Sequence, residues 1–318
     1  MKKSFLKIIS ITLVLLLLLP YMVSCSFDTI KEKFSSLTSD ISTSESTGEK
    51  QTEEETKYEV PEGSAQFHFI DIGQGDASLI IVGGKNILID TGDKGGKTNL
   101  ISYLAKYDVK EIEYFVVTHP DADHFASAAY VIDNYTVKNL IMSEFVKTTK
   151  MYEEFISTIE KHEEINVISA NENVGKSYYV SDLELKILAP LKHYSDPNEE
   201  SVVLIARFGN TKVMYTGDAE AITEKDMLAA YSSSTFKSDL LKVGHHGSST
   251  SSTQEFLNAV SPTYAVISCG TDNKYGHPHT ETMDKLNGMN IEIHRTDLEG
   301  SIVFESNGET ISHKGEAN

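Results

Sequence analysis

The run Glu113-Tyr114-Phe115-Val116-Val117-Thr118 constrains this chain more than any other segment, because it is apolar without clear alternation and stops directly at His119. A strand that alternates can leave one face in water, whereas an unbroken apolar strand is covered on both faces. The residues that follow are as restrictive. His119-Pro120-Asp121-Ala122-Asp123-His124 sets two imidazoles and two carboxylates on six residues, ahead of a helix expected near Ala126. A loop at a strand end is not bound to alternate its side chains, so all four groups can converge. Imidazole and carboxylate are donors suited to zinc, manganese or iron. Taken alone, such a cluster also arises by chance on a surface loop.

Two further segments make chance a poor account. Met214-Tyr215-Thr216-Gly217-Asp218 brings a carboxylate after a glycine at one expected strand end. Lys242-Val243-Gly244-His245-His246-Gly247-Ser248 brings two histidines to another. Around these loops the chain alternates β-rich runs (66–71, 78–82, 87–90, 240–243, 264–268, 301–305) with helical stretches near 100–104, 253–260 and 280–286. Gly209-Asn210 closes an expected hairpin between 201–208 and 211–215, and Thr223 is the expected opening of a helix reaching Tyr231. Strands and helices mixed in two similar halves predict an α/β fold. The architecture is an αββα sandwich, two β-sheets packed face to face with helices on the outer faces, in one domain over residues 63–318.

The N-terminus has a different logic. Lys2, Lys3 and Lys7 precede the apolar run Ile8 to Leu19, and Met22-Val23-Ser24-Cys25 follows. That run falls short of the roughly 20 residues of a comfortable span and fits an export signal better. Its ending resembles a bacterial lipoprotein lipobox, which makes Cys25 the expected lipidation site and the membrane the expected partner through an acyl anchor. The competing reading is an N-terminal membrane helix extended through Val23. Either places the folded part on the extracytoplasmic face. Residues 1–25 are thus the expected signal peptide, and 26–62, rich in Ser, Thr, Glu and Lys, a solvated linker that cannot bury enough surface to order itself. Removing three lysines and no acid takes the net charge from −19 to −22. So acidic a surface repels polyanions at long range, and a nucleic-acid or wall-polymer substrate would need local attraction. The second cysteine, Cys269, ends a strand-like run and reads as a buried apolar residue.

The motifs Phe69-Ile70-Asp71-Ile72-Gly73-Gln74-Gly75-Asp76-Ala77, Leu88-Ile89-Asp90-Thr91-Gly92, Thr118 to His124, Thr216-Gly217-Asp218, Leu241 to Ser248 and Tyr275-Gly276-His277-Pro278 occur in this order across residues 65–306. In them the chain resembles metallo-β-lactamase-fold hydrolases, and among these the C-terminal domain of ComEC-type competence proteins. The resemblance implies two divalent ions, zinc or manganese. His119 and Asp121 would bind the first, Asp123 and His124 the second. Asp218 would bridge them and His246 complete the second, with His245 beside it for substrate contact. Two departures stand out. Many members carry a ligand histidine midway, where this chain has Asp196-Pro197-Asn198-Glu199-Glu200-Ser201 with His193 nearby, so the first ion site is expected to be the weaker. The usual Gly-Gly after the run is Ala126-Ser127.

What the resemblance implies chemically is hydrolysis by a metal-activated hydroxide, with Asp123, His277 and His245 as the residues nearest the reaction. His277 would be a proton donor to the leaving group, a phosphate contact or a plain turn residue. The expected substrate is a phosphodiester in DNA or a wall polymer. The alternative is a non-catalytic nucleic-acid or wall-polymer binding module on the same fold. Hydrolysis of a β-lactam or other ester has only the fold behind it. No obligate protein partner is evident.

Overall fold

The computed structural model describes residues 60–316. The expected signal peptide, Cys25 and nearly all of the expected linker lie outside them. Among the described residues no helix is long and apolar enough to cross a membrane.

The first sheet has eight strands, in the order β15 (Ile311–Glu316), β14 (Ile302–Ser306), β1 (Ala65–Phe69), β2 (Ser78–Val82), β3 (Lys85–Ile89), β4 (Glu111–Val117), β5 (Thr136–Met142) and β6 (Asn166–Ser169). The second has seven, in the order β13 (Glu292–Arg295), β12 (Tyr264–Ile267), β11 (Leu240–Lys242), β10 (Thr211–Tyr215), β9 (Val203–Phe208), β8 (Leu183–Ala189) and β7 (Ser177–Val180). Three apolar layers hold them. Phe67, Ile80, Val116, Leu204, Val213 and Val266 fill the space between the sheets. Outside the first sheet, Phe115, Val117 and Leu140 meet α1 (Lys97–Lys106), α3 (Ala128–Asn134) and α4 (Lys150–Lys161). Outside the second, Met214, Leu241 and Ala265 meet α5 (Ala221–Ala230), α7 (Gln254–Val260) and α8 (Thr280–Gly288). The expected αββα sandwich is the fold observed. In β4, Phe115 and Val117 face helices while Val116 faces the other sheet, which explains its unbroken apolar run.

Local details differ from expectation in three places. The helix expected from Thr223 begins at Ala221 after Glu220, because the Thr223 hydroxyl donates to the Glu199 carbonyl instead of capping. No helix starts at Ala126. A single turn, α2 (Ala122–Phe125), already holds Asp123 and His124, and α3 follows from Ala128. The strands β5 to β8, β13 and β15 and the helix α4 were not among the expected elements.

Candidate metal centre

Parallel pairing of β3 with β4, and of β10 with β11 and β12, sets the C-terminal ends of these strands side by side. Asp90 follows β3, His119 to His124 follow β4, Asp218 follows β10, and His245 and His246 follow β11. Both sheets deliver their loops to one seam.

The backing of each histidine fixes which nitrogen faces inward. Thr118 Oγ1 spends its proton on Asp90 Oδ2 at 2.7 Å, so it can only accept from His119 Nδ1 at 3.1 Å. His124 Nδ1 donates to Asp90 Oδ2 at 2.9 Å, and His246 Nδ1 donates to the Ser268 carbonyl at 2.9 Å. His245 Nδ1 lies 3.1 Å from Thr250 Oγ1 and 3.2 Å from Glu220 Oε1. All four rings therefore turn Nε2 to the seam, the arrangement in which outer partners orient metal-binding imidazoles.

The inward atoms suit a cation. His124 Nε2 is 3.2 Å from His246 Nε2 and 3.2 Å from Asp218 Oδ1. His246 Nε2 is 3.4 Å from Asp218 Oδ2 and 3.5 Å from Asp123 Oδ2. Donors on one tetrahedral ion with bonds of about 2.0–2.1 Å stand about 3.3 Å apart, so His124, Asp218 and His246 have the spacing of donors to one divalent ion, and Asp123 stands at that spacing from His246. On the other side of the Asp218 carboxylate the spacing is looser. His119 Nε2 and His245 Nε2 stand 3.9 Å and 3.7 Å from Asp218 Oδ2. His119 Nε2 and Asp218 Oδ1 are each buried without a hydrogen-bond partner, a cost that bound cations would remove.

Electrostatics agree. Burial opposes charge on His124, yet Asp218 and Asp90 hold it well above the usual imidazole range. Burial likewise opposes charge on His246, but Asp218 and Asp76 lift it to about 10. For His119 burial and the neighbouring His124 prevail and push it well below. Burial works against the carboxylates too, but His246 and His124 pull Asp123 down and His124 with His246 pulls Asp218 down. The carboxylates demand positive charge at the spot where the rings converge.

The backbone also carries strain there. His245 and His246 are both left-handed, at φ 49° and 54°, a conformation costing about 1–2 kcal/mol per non-glycine residue. It is held by the His245 N–H on the Gly217 carbonyl at 3.1 Å and the Ser248 N–H on the His245 carbonyl at 2.8 Å. Strain kept at such a price clusters at functional sites.

Of the residues singled out in the sequence, His119, Asp123, His124, Asp218, His245 and His246 come together. Asp121 is the N-cap of α2, and its carboxylate pairs with Lys147. His193, 70% exposed, faces Glu144 and Glu200. Ser201 occupies the midway position instead, its hydroxyl 3.2 Å from His119 Nδ1 and accepting from the Asp218 N–H at 3.1 Å. His277 stacks between Tyr275 and His246, with ring centroids 5.6 and 6.1 Å away. Two functional groups were missed, Asp90 and Asp76, although both lie in quoted motifs. Asp76 shares a 4.8 Å cluster with His124, Asp218 and His246, but from behind. It is 3.7 Å from His246 Nδ1 and 3.9 Å from His124 Nδ1, and buried Lys242 pairs with its Oδ2. It is a charge behind the ligands.

Two layered sheets with a His/Asp cluster in the seam at their strand ends define an αββα metal-binding fold. The chain belongs to the Metallo-beta-lactamase superfamily, which matches residues 70–271. It is 30% identical over 257 residues to ComE operon protein 3 of Bacillus subtilis, covering 74% of this chain and 32% of that one. It is 30% identical over 243 residues to Recombination protein 2 of Haemophilus influenzae (74% and 28%) and 29% over 249 residues to Competence protein ComA of Neisseria gonorrhoeae (77% and 33%). The chain thus spans about a third of the length of these relatives. Among solved structures, Igni18, a metallo hydrolase from Ignicoccus hospitalis, superposes with a TM-score of 0.51 at 16% identity over 75% of this chain and 98% of that one. An E377D mutant of the CmlA β-hydroxylase gives 0.51 at 11% over 77% and 54%. At such identities the likeness is one of fold.

Proposed function

We propose that the chain is an extracytoplasmic, membrane-anchored, metal-dependent phosphodiesterase acting on nucleic acid or a wall polymer. The observation that carries the hydrolase reading is the gathering of His124, Asp218 and Asp123 within 3.2–3.5 Å of His246 Nε2, about the spacing of donors to one ion. His119 and His245, with Asp218 shared, would hold a second ion, more loosely. Bound there, zinc or manganese would supply a hydroxide at neutral pH and take up charge on a phosphoryl oxygen.

The chain's own residues would bind and orient the substrate. Asp123 lines a cavity of about 410 Å³ together with Gln74, Asp93, Ala122, Asn273, Lys274 and Tyr275. Lys274 offers a cation for a phosphate and half-exposed Tyr275 an aromatic face. Burial, with His246 and His245 adding to it, lowers His277 to about 4. It is then a neutral imidazole at neutral pH, and its buried Nδ1 has no partner. That supports contact with a phosphate oxygen over storage of a proton for the leaving group. Anchoring at Cys25 rests on the Lys2 to Cys25 sequence.

The test is full-length protein purified in detergent, assayed for bound metal and for cleavage of a bis-aryl phosphate and single-stranded DNA. Wild type with manganese or zinc should far exceed Asp123→Ala, and equal rates would sink the hydrolase reading. Cys25→Ala should abolish lipid attachment. Unchanged processing and membrane retention would remove the tether.

A further inference from the structure

A second group of metal-type donors lies on β13, β15 and α9 (Thr296–Glu299), none of which contributes to the candidate centre. One ligand atom each from His294, Glu299 and His313 lies within 4.8 Å of the others. We propose that His294, Glu299 and His313 bind a structural zinc ion that clips the edge of one sheet to the edge of the other.

The local bonding is already arranged for it. Glu299 Oε1 accepts from the Arg295 N–H at 2.9 Å, which fixes the carboxylate and leaves Oε2 facing His294 Nδ1 at 2.8 Å. On the far side of the ring, Glu292 Oε1 accepts from His294 Nε2 at 3.2 Å. Without an ion the Nδ1–H donates to Glu299 Oε2; a zinc ion would displace that proton, and the Glu292 carboxylate would keep the remaining one on the outer nitrogen. His313 completes the set, its ring 4.1 Å from that of His294. Two imidazoles and one carboxylate are a zinc donor set. Donors on one zinc stand about 3.3 Å apart, so no pair has to close by more than about 1.5 Å, a movement within reach of the partly exposed Glu299 and His313 side chains. Fully buried Phe304 packs against both rings, 5.3 and 5.2 Å away, and gives the site an apolar floor.

The topology explains what such an ion would do. β13 is the edge of the seven-stranded sheet and β15 the edge of the eight-stranded one. β15 pairs in its sheet with β14 alone, with a register shift opposite Ile302 and Phe304. A zinc ion would pin this last strand to the opposite sheet.

Full-length protein in detergent, stripped of metal, is titrated with zinc and its uptake counted. Wild type should take up one ion more per chain than His313→Gln or Glu299→Gln, and the difference should persist in an Asp218→Asn background that weakens the main centre. Amide exchange over residues 311–316 should slow about tenfold at zinc ten times above its Kd in wild type and remain unchanged in His313→Gln. Equal uptake by wild type and both variants, or exchange in wild type that ignores zinc, overturns the proposal.

Discussion

Asp90→Asn isolates the orientation of a ligand from its identity. Asp90 never faces the seam. Its Oδ2 accepts from His124 Nδ1 at 2.9 Å and from Thr118 Oγ1 at 2.7 Å, and its Oδ1 accepts from the Thr118 N–H at 2.8 Å. Asparagine keeps the shape and tolerates the left-handed φ of 58°, so the turn should survive. It has one acceptor oxygen in place of two. If that oxygen stays on the Thr118 N–H, the amide NH₂ meets His124 Nδ1. The ring must then shift its proton to Nε2, where it points at His246 and Asp218. If the amide flips, NH₂ meets N–H and that bond is lost instead. Removing such a backing group weakens metal binding by about 10–100-fold, or about 1.4–2.7 kcal/mol. Competition against a chelator should show this loss for one ion per chain, with activity partly restored at saturating metal. Unchanged affinity in a folded Asp90→Asn protein would refute the claim that Asp90 sets the His124 tautomer.

Two further changes probe the frame around the centre. Gly75 sits at φ +117°, and a Cβ there would lie 2.1 Å from the Asp123 carbonyl oxygen, the same oxygen that accepts from the Asp76 N–H. Gly75→Ala should therefore displace Asp123 and abolish activity at any metal concentration, and a variant with wild-type rates would contradict the close approach. Fully buried His68 is lowered from 6.5 to about 3 by burial, with Lys106 adding to it. The unfolded ring takes a proton below about 6.5 that the folded ring refuses until about 3, so this contribution to stability is lost as pH falls through that window. Between pH 7 and pH 5 the loss is about 2 kcal/mol. Urea unfolding of wild type should show that extra loss relative to His68→Gln, and parallel pH curves would rule it out.

The sandwich was legible because its strands carry their environment in their own residues. Phe115, Val116 and Val117 demand cover on both faces, and Gly209-Asn210 joins β9 to β10 as its composition suggests. Thr253 caps α7, accepting from the Phe256 N–H, and Cys269 is buried. α4 is legible in principle, through Tyr152, Phe155, Ile156 and Ile159 at helical spacing. β5 and β7 give weaker signals, since Lys138, Asn139 and Ser177 interrupt their apolar pattern. In the candidate centre, the groups facing inward are of unusual types at unusual places, and they stand out. Those that aim them do not. Asp90, Thr118 and Ser201 are common residues whose roles exist only once distant strands are adjacent. Asp121 shows the converse: a ligand-type residue in a ligand-type run, whose partner Lys147 is set by the fold and not by the local pattern.

The seam also imposes an order in time. The run from His119 to His124 precedes Asp218 and His246 by about a hundred residues, and contacts so far apart in sequence form late. A half-made chain holds only the first sheet's donors, His119, Asp123 and His124, and lacks Asp218 and His246, which stand beside them in the finished seam. Selection of the metal is therefore deferred until the second sheet closes over the first. If the seam holds the proposed ions, the ion captured would be the one abundant where folding ends, whatever was available where synthesis began. For a chain that folds after export, that pool is the surrounding medium.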